Sequence, residues 1–104
     1  MVVTHSSRET RTVPTTKVRE WLLWFDERST QDPRNTENRK LRNRLYAFSQ
    51  GAGDPESTAT DRTRDLSGID WTRGEIAFAS RPGFGRKTID RLITRVVAVT
   101  NIRE

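Results

Sequence analysis

The stretch RPGFGRKTIDR, residues 81–91, has the residue types and spacing best suited to binding chemistry. Gly83 and Gly85 tolerate positive φ angles and let a ligand approach the backbone closely. A turn that leads into a helix leaves backbone N–H groups without partners, and these donors bind anions together with the helix dipole. Arg86 and Lys87 follow at once and add positive charge. We therefore expect a phosphate group to bind here.

The helix predicted after this turn has one apolar face and one basic face. Lys87, Arg91 and Arg95 recur every four residues on the basic side. This row either contacts the same anionic partner as the turn or is an ordinary solvated helix face. The apolar side consists of Ile89, Leu92, Ile93, Val96 and Val97.

Two further helices are predicted in the first half of the chain, and they should pair as an antiparallel hairpin. The first follows Pro14, takes an N-cap from Thr15 or Thr16, and ends at Asp32-Pro33. The second starts near Asn35 or Thr36. Their apolar stripes are Val18, Trp21, Leu22 and Phe25 in the first helix and Leu41, Leu45 and Phe48 in the second.

Basic and aromatic residues on these two helices leave alternatives open. The stripe of the second helix has basic flanks that are either ordinary surface or a second site for an anionic partner: Arg39, Lys40, Arg42 and Arg44. On the first helix the spacing of Trp21 and Phe25 favours core packing over a stacking platform for bases. Trp24 lies off the stripe and is a candidate anchor for a partner protein.

The remaining segments complete an all-α prediction with four helices. A third helix is predicted around Asp70, through WTRGEIAFAS, with Trp71, Ile76 and Phe78 as its anchors. The predicted organisation is a flexible tail over 1–14, a helical hairpin over 15–49, a linker or long loop over 50–66, and a C-terminal region over 67–104 that contains the other two helices.

Composition restricts the class of partner. At 104 residues the chain is a single domain at most, with a small core. The net charge of +5 and a sequence pI near 10.7 favour anionic partners such as nucleic acid. Most of the cations are arginine, which suits bidentate phosphate contacts, although genome composition produces the same bias.

Several function classes have no support in the sequence. The chain has no cysteine, and no nucleophile set, metal-ligand cluster, Walker loop or dinucleotide fingerprint, so we expect no catalysis, no metal and no cofactor. No apolar stretch approaches the ~20 residues of a membrane span, and the polar N-terminus is unlike a signal peptide. We expect a protein of the cytoplasm, bacterial, archaeal or that of a host cell if the source is viral, with no membrane association.

The segment PGFGRKT resembles the hairpin of helix-hairpin-helix domains. Within that family, DLSGIDWTRGEIAFASRPGFGRKTIDRLI is most similar to the C-terminal domain of the bacterial RNA polymerase α subunit. The resemblance implies a hairpin at Gly83 to Gly85 whose amides hold a DNA phosphate through the minor groove, without sequence preference. Arg81 stands where the family usually has an apolar residue. The DNA-binding set predicted from the resemblance and the basic row is Arg81, Gly83, Gly85, Arg86, Lys87, Thr88, Arg91 and Arg95.

Two functions follow as hypotheses. In the first, the protein is a small transcription-associated factor that binds the phosphate backbone of double-stranded DNA with little sequence specificity. In the second, it is a protein-interaction module, viral in one version, that binds RNA polymerase or another transcription protein without binding DNA. Salt-sensitive binding to random duplexes would support the first hypothesis, and capture of one polypeptide by a DNA-silent protein would support the second.

Overall fold

The computed structural model describes the chain over residues 10–50, 69–79 and 85–104. In these segments the protein is mostly helical, and three helices pack against a small antiparallel sheet of two strands. The elements in chain order are β1 (Thr10–Pro14), α1 (Thr15–Gln31), α2 (Thr36–Ser49), β2 (Glu75–Ala79) and α3 (Gly85–Thr100).

The first two helices form where the sequence predicts them. α1 begins directly after Pro14 and α2 begins after Asn35, whose side chain caps the helix by accepting a 3.1 Å hydrogen bond from the backbone N–H of Asn38. Thr15 does not act as the predicted N-cap of α1. Its hydroxyl instead donates to the carbonyl of Arg73, and its N–H donates 3.1 Å to the carbonyl of Gly74, so α1 starts against the turn that precedes β2.

The all-α, four-helix prediction is wrong in two places, because two strands form. β1 includes the end of the segment 1–14 predicted as a tail, and β2 replaces the third helix predicted from Asp70 onward. Ile76 and Phe78 of β2 are buried while Glu75 and Ala77 are exposed, which is the two-residue period of a strand. Five residues are too few for this alternation to stand out in the sequence, and the partner strand lies far away along the chain.

One hydrophobic core joins both halves of the chain. Its largest fully buried side chains are Trp21 and Phe25 of α1, Phe48 of α2 and Phe78 of β2. The predicted linker 50–66 lies outside the described residues. The apolar stripe predicted for α3 is largely confirmed, since Ile89, Leu92, Ile93 and Val96 are buried and Val97 is partly buried against the core.

The end of α3 turns the chain back over the core. Asn101 has a φ of 59°, the left-handed conformation that asparagine tolerates and that commonly terminates helices. Its N–H donates 2.7 Å to the carbonyl of Val97. The following residue, Ile102, accepts a 2.8 Å hydrogen bond from the indole nitrogen of Trp21 on α1.

Candidate nucleic-acid interface

α3 carries most of the residues predicted to contact DNA. Gly85 is its first residue, so a helix does begin at the second glycine of the predicted pair. Thr88 is half-buried, whereas the four cations of the predicted set on this helix all reach solvent: Arg86, Lys87, Arg91 and Arg95.

The turn before α3 lies outside the described residues. Arg81 and Gly83, with the rest of segment 80–84, therefore have no described position, and the phosphate-binding turn stays a prediction. The helix that the resemblance requires before the turn is not formed, because β2 occupies Glu75–Ala79. The described residues thus contain the second helix of the predicted helix-hairpin-helix pair without the first.

The two faces of α3 are separated as its periodicity predicts. Ile89, Leu92 and Val96 have relative exposures of 0%, 1% and 0%, and they hold the helix against the core. Lys87 and Arg91 project from the opposite side, with Arg95 one turn further on. Burial of the apolar stripe therefore fixes the direction in which the three cations point.

A groove between α2 and α3 brings a second set of cations to this surface. It has a volume of about 470 Å³, and Leu41 and Leu92 are among the apolar residues that line it. Lys40 and Arg44, one turn apart on α2, line the side opposite α3. The residues that line the groove are Glu37, Asn38, Lys40, Leu41, Arg44, Thr88, Arg91, Leu92, Arg95 and Val99.

The charge of the groove is strongly one-sided. Lys40, Arg44, Arg91 and Arg95 contribute positive charge, and Glu37 is the single acid among the lining residues. Cations outnumber acids four to one among the lining residues, so a partner that carries negative charge is favoured at this place. From the sequence alone, Lys40 and Arg44 are compatible with ordinary surface residues. The packing of α2 beside α3 is what places them next to the predicted row of cations on α3.

Carboxylates do not neutralise the row on α3. Within the described part of the chain, no carboxylate oxygen lies within 4 Å of the side-chain nitrogens of Lys87, Arg91 or Arg95. The acid of α3, Asp90, accepts instead from Arg11 of β1, with 3.2 Å between Nη1 and Oδ1, and its Oδ1 lies 4.0 Å from Nε of Arg86. The three cations are therefore available to an external anion.

Arg42 does not belong to this surface, although the sequence groups it with the other basic flanks of α2. Its side chain is only 4% exposed, and its Nε donates a 2.6 Å hydrogen bond to Oδ1 of Asp26 on α1. The bond joins α1 to α2. Arg42 is thus a structural residue and contributes nothing to an exposed basic patch.

A second exposed feature lies on α1. Leu23 is a large apolar side chain, and it is 48% exposed at the surface of the described residues. Beside it, Trp24 is half-buried, packs edge to face on Phe25 with 5.2 Å between ring centroids, and has the Arg28 guanidinium 5.0 Å above its ring. Trp21 and Phe25 are core residues, as predicted. Trp24 lies at the border between core and surface.

Other kinds of site find no support in the described segments. No group of three or more His, Asp or Glu side chains there is arranged to hold a metal ion. The described helices include none whose length and apolar character would let it cross a membrane.

The pKa of Asp70 is lowered by hydrogen bonds from the hydroxyl and the N–H of Thr72, and this pair forms a local turn before β2.

Comparisons with protein-family models, with curated proteins and with solved structures found no match.

Proposed function

We propose that this protein binds the phosphate backbone of double-stranded DNA and acts in association with transcription. The observation that carries the DNA contact is the convergence of Lys40 and Arg44 of α2 with Arg91 and Arg95 of α3 along one groove. Lys87 extends the same surface toward the start of α3. The association with transcription rests on the resemblance of the C-terminal segment to the polymerase α subunit domain.

The arrangement suits a linear polyanion better than a small anion. Cations four residues apart on a helix are roughly 6 Å apart along its axis, because each residue rises about 1.5 Å. The row from Lys87 to Arg95 therefore extends roughly 12 Å, long enough to contact a duplex at several points along its length. Arginine adds a planar fork that binds phosphate oxygens with two hydrogen bonds.

The predicted hairpin fits the same proposal. Because α3 begins at Gly85, an anion held by the turn would lie at the N-terminal end of the row. Arg86 and Lys87 would flank that anion, and the groove cations would follow toward the other end of α3. The hairpin and the row would then act on one DNA strand in sequence.

The experiment is a measurement of affinity for several unrelated duplexes over a range of salt concentrations. We expect the affinity of Lys40→Ala to fall for every duplex alike and the slope of log K against log salt to decrease by about one unit. Arg19→Ala is the control, since Arg19 is an exposed cation of α1, away from the groove. The proposal fails if the unchanged protein binds no duplex, or if both variants lose affinity equally.

Leu23 and the half-buried Trp24 of α1 favour a second candidate function, a protein-interaction module. Leu23 and Trp24 together offer an apolar contact beside the Arg28 charge, as interface anchors commonly do. The partner tested first is purified RNA polymerase. In that case Leu23→Asp would remove polymerase binding, and Arg91→Ala would leave it unchanged. Retained polymerase binding in Leu23→Asp would contradict this role for α1.

A further inference from the structure

We propose that α3 enters the major groove of duplex DNA and distinguishes base sequences there. The inference rests on the proposed function, because it requires that α3 contacts DNA. It adds sequence selectivity to the phosphate contacts. Arg91 and Arg95 are the residues assigned to base edges, and Thr94 and Ala98 let the helix approach those edges.

The first observation is the mixture of side-chain sizes on the exposed face of α3. Thr94 and Ala98 are exposed one turn apart, and they share a shallow surface hollow with Lys87, Arg91 and Arg95 and with the single acid Asp90. A helix face that contacted only phosphates would need nothing other than long basic side chains. Short side chains in the middle of the face matter when the helix backbone must come close to a surface, because bulky residues would hold it away.

The second observation is the size of this face. The major groove of B-DNA is about 12 Å wide, and a helix with its side chains is about 10–12 Å across. From Lys87 to Ala98 the face is about 17 Å long at about 1.5 Å per residue. That length corresponds to about five base pairs at about 3.4 Å each, the extent over which one helix reads a groove.

The third observation is the position of the α2 cations beside α3. Packed helices lie about 8–10 Å apart, so Lys40 and Arg44 stand to one side of the inserted helix. With α3 in the groove, those two residues reach the phosphates that border it. In sequence-specific complexes one helix commonly contacts the bases while a neighbouring part of the protein contacts the backbone and fixes its position. In this proposal α3 contacts the bases and α2 contacts the backbone.

The chemistry of the face also predicts which bases are preferred. The guanidinium of arginine donates two hydrogen bonds to O6 and N7 of guanine, and the methyl groups of threonine and alanine pack on the thymine methyl. All of these base atoms lie in the major groove. We therefore expect a preferred sequence in which guanine and thymine are close together.

The test begins with selection of duplexes from a pool with a randomised central segment, using the full chain. We expect an enriched sequence that binds about tenfold or more tightly than the unselected pool. Replacing purine N7 with carbon in that duplex alters the major groove alone, and it should lower affinity several-fold. Duplex binding without enrichment, or enrichment insensitive to the N7 change, would overturn major-groove reading.

Charge-preserving variants then identify the reading residues. Arg91→Lys and Arg95→Lys retain the charge and lose the planar fork, so the ratio of selected to unselected affinity should fall several-fold. Lys40→Ala is the control, since it should weaken both affinities equally and leave the ratio unchanged. A ratio that survives both arginine variants would overturn the assignment. Failure of the proposed function is distinct from these outcomes, because it is the loss of all duplex binding.

Discussion

The indole N–H of Trp21 on α1 donates a 2.8 Å hydrogen bond to the carbonyl oxygen of Ile102, two residues beyond the end of α3. Trp21 itself has no exposed surface. The bond therefore joins the first helix to the C-terminal end of the chain inside a largely apolar environment, where a hydrogen bond is costly to lose. It holds α3 at its far end, as the buried apolar stripe holds it along its length.

Removing this bond should destabilise the fold measurably. Trp21→Phe deletes the donor and part of the ring, and we expect the free energy of unfolding to fall by about 1–3 kcal/mol. Urea unfolding followed by circular dichroism measures this loss. Trp24→Phe is the comparison, since Trp24 is half-buried, and it should cost less. Equal losses in the two variants would mean that the bond to Ile102 contributes little.

The pair of Arg42 and Asp26 yields a second prediction. Arg42 is almost completely buried while Asp26 is about one-third exposed. Removing the negative charge of Asp26 therefore leaves a buried guanidinium without an ionic partner. We expect Asp26→Asn to lower the free energy of unfolding by about 2 kcal/mol, a value reduced for the exposure of Asp26. Arg42→Met keeps a similar shape without the charge and should cost less. A greater loss for Arg42→Met would show that the ion pair itself is stabilising.

The helices and the sheet differ in how well the sequence predicts them. α1, α2 and α3 each repeat an apolar stripe over several turns, and this signal is local, so their positions follow from spacing alone. β1 and β2 are five residues each, and neither is stable without the other. Their pairing depends on contacts between distant parts of the chain, which no short window of sequence contains.

The candidate site divides in the same way. Lys87, Arg91 and Arg95 are predictable because their spacing places them opposite a buried stripe of the same helix. Lys40 and Arg44 join the surface only through the packing of α2 beside α3, which the spacing within α2 does not specify. Arg42 shows the opposite. Its place among the basic residues of α2 predicts an exposed side chain, but the side chain is buried and hydrogen-bonded to Asp26.

The strand assignment of β2 can be tested at an exposed position. Ala77 is exposed and lies directly opposite Thr12 of β1. Threonine is favoured in strands and pairs well across from threonine, so Ala77→Thr should raise stability by about 0.2–1 kcal/mol. In a helix the same change would lower it by several tenths of a kcal/mol. Thermal unfolding of this variant therefore separates the strand from the helix predicted by the sequence.

A pH titration tests the turn before β2. The hydroxyl of Thr72, and secondly its N–H, donate to Oδ1 of Asp70 and hold the pKa of that carboxyl below its ordinary value. Because the folded pKa is depressed, the stabilising contribution is present above the unfolded pKa and is lost as pH falls through the folded pKa. Thr72→Ala should raise the midpoint of Asp70 in an NMR titration of its carboxyl carbon, and Thr12→Ala should not. An unmoved midpoint in Thr72→Ala would contradict this cause.

The negative charge of Asp90 on α3 should lower the affinity of the protein for DNA. Asp90 lies on the same helix as the basic row, and Arg11 of β1 partly neutralises it through the 3.2 Å contact. Asp90→Asn removes a negative charge next to Lys87 and Arg91, so affinity for every duplex should rise by about twofold to fivefold at low salt. The gain should shrink as salt increases, because the charge acts at a distance.

Glu20→Gln is the control for that experiment. Glu20 is an exposed acid on α1 that pairs with Lys17 at 3.2 Å, and its replacement changes the net charge of the protein by the same amount. If DNA binds at α3, Glu20→Gln should leave affinity nearly unchanged while Asp90→Asn raises it. Equal gains in the two variants would show that overall charge, and not the face of α3, governs binding. A loss of affinity in Asp90→Asn would instead indicate that the Arg11 contact is needed to position the helix.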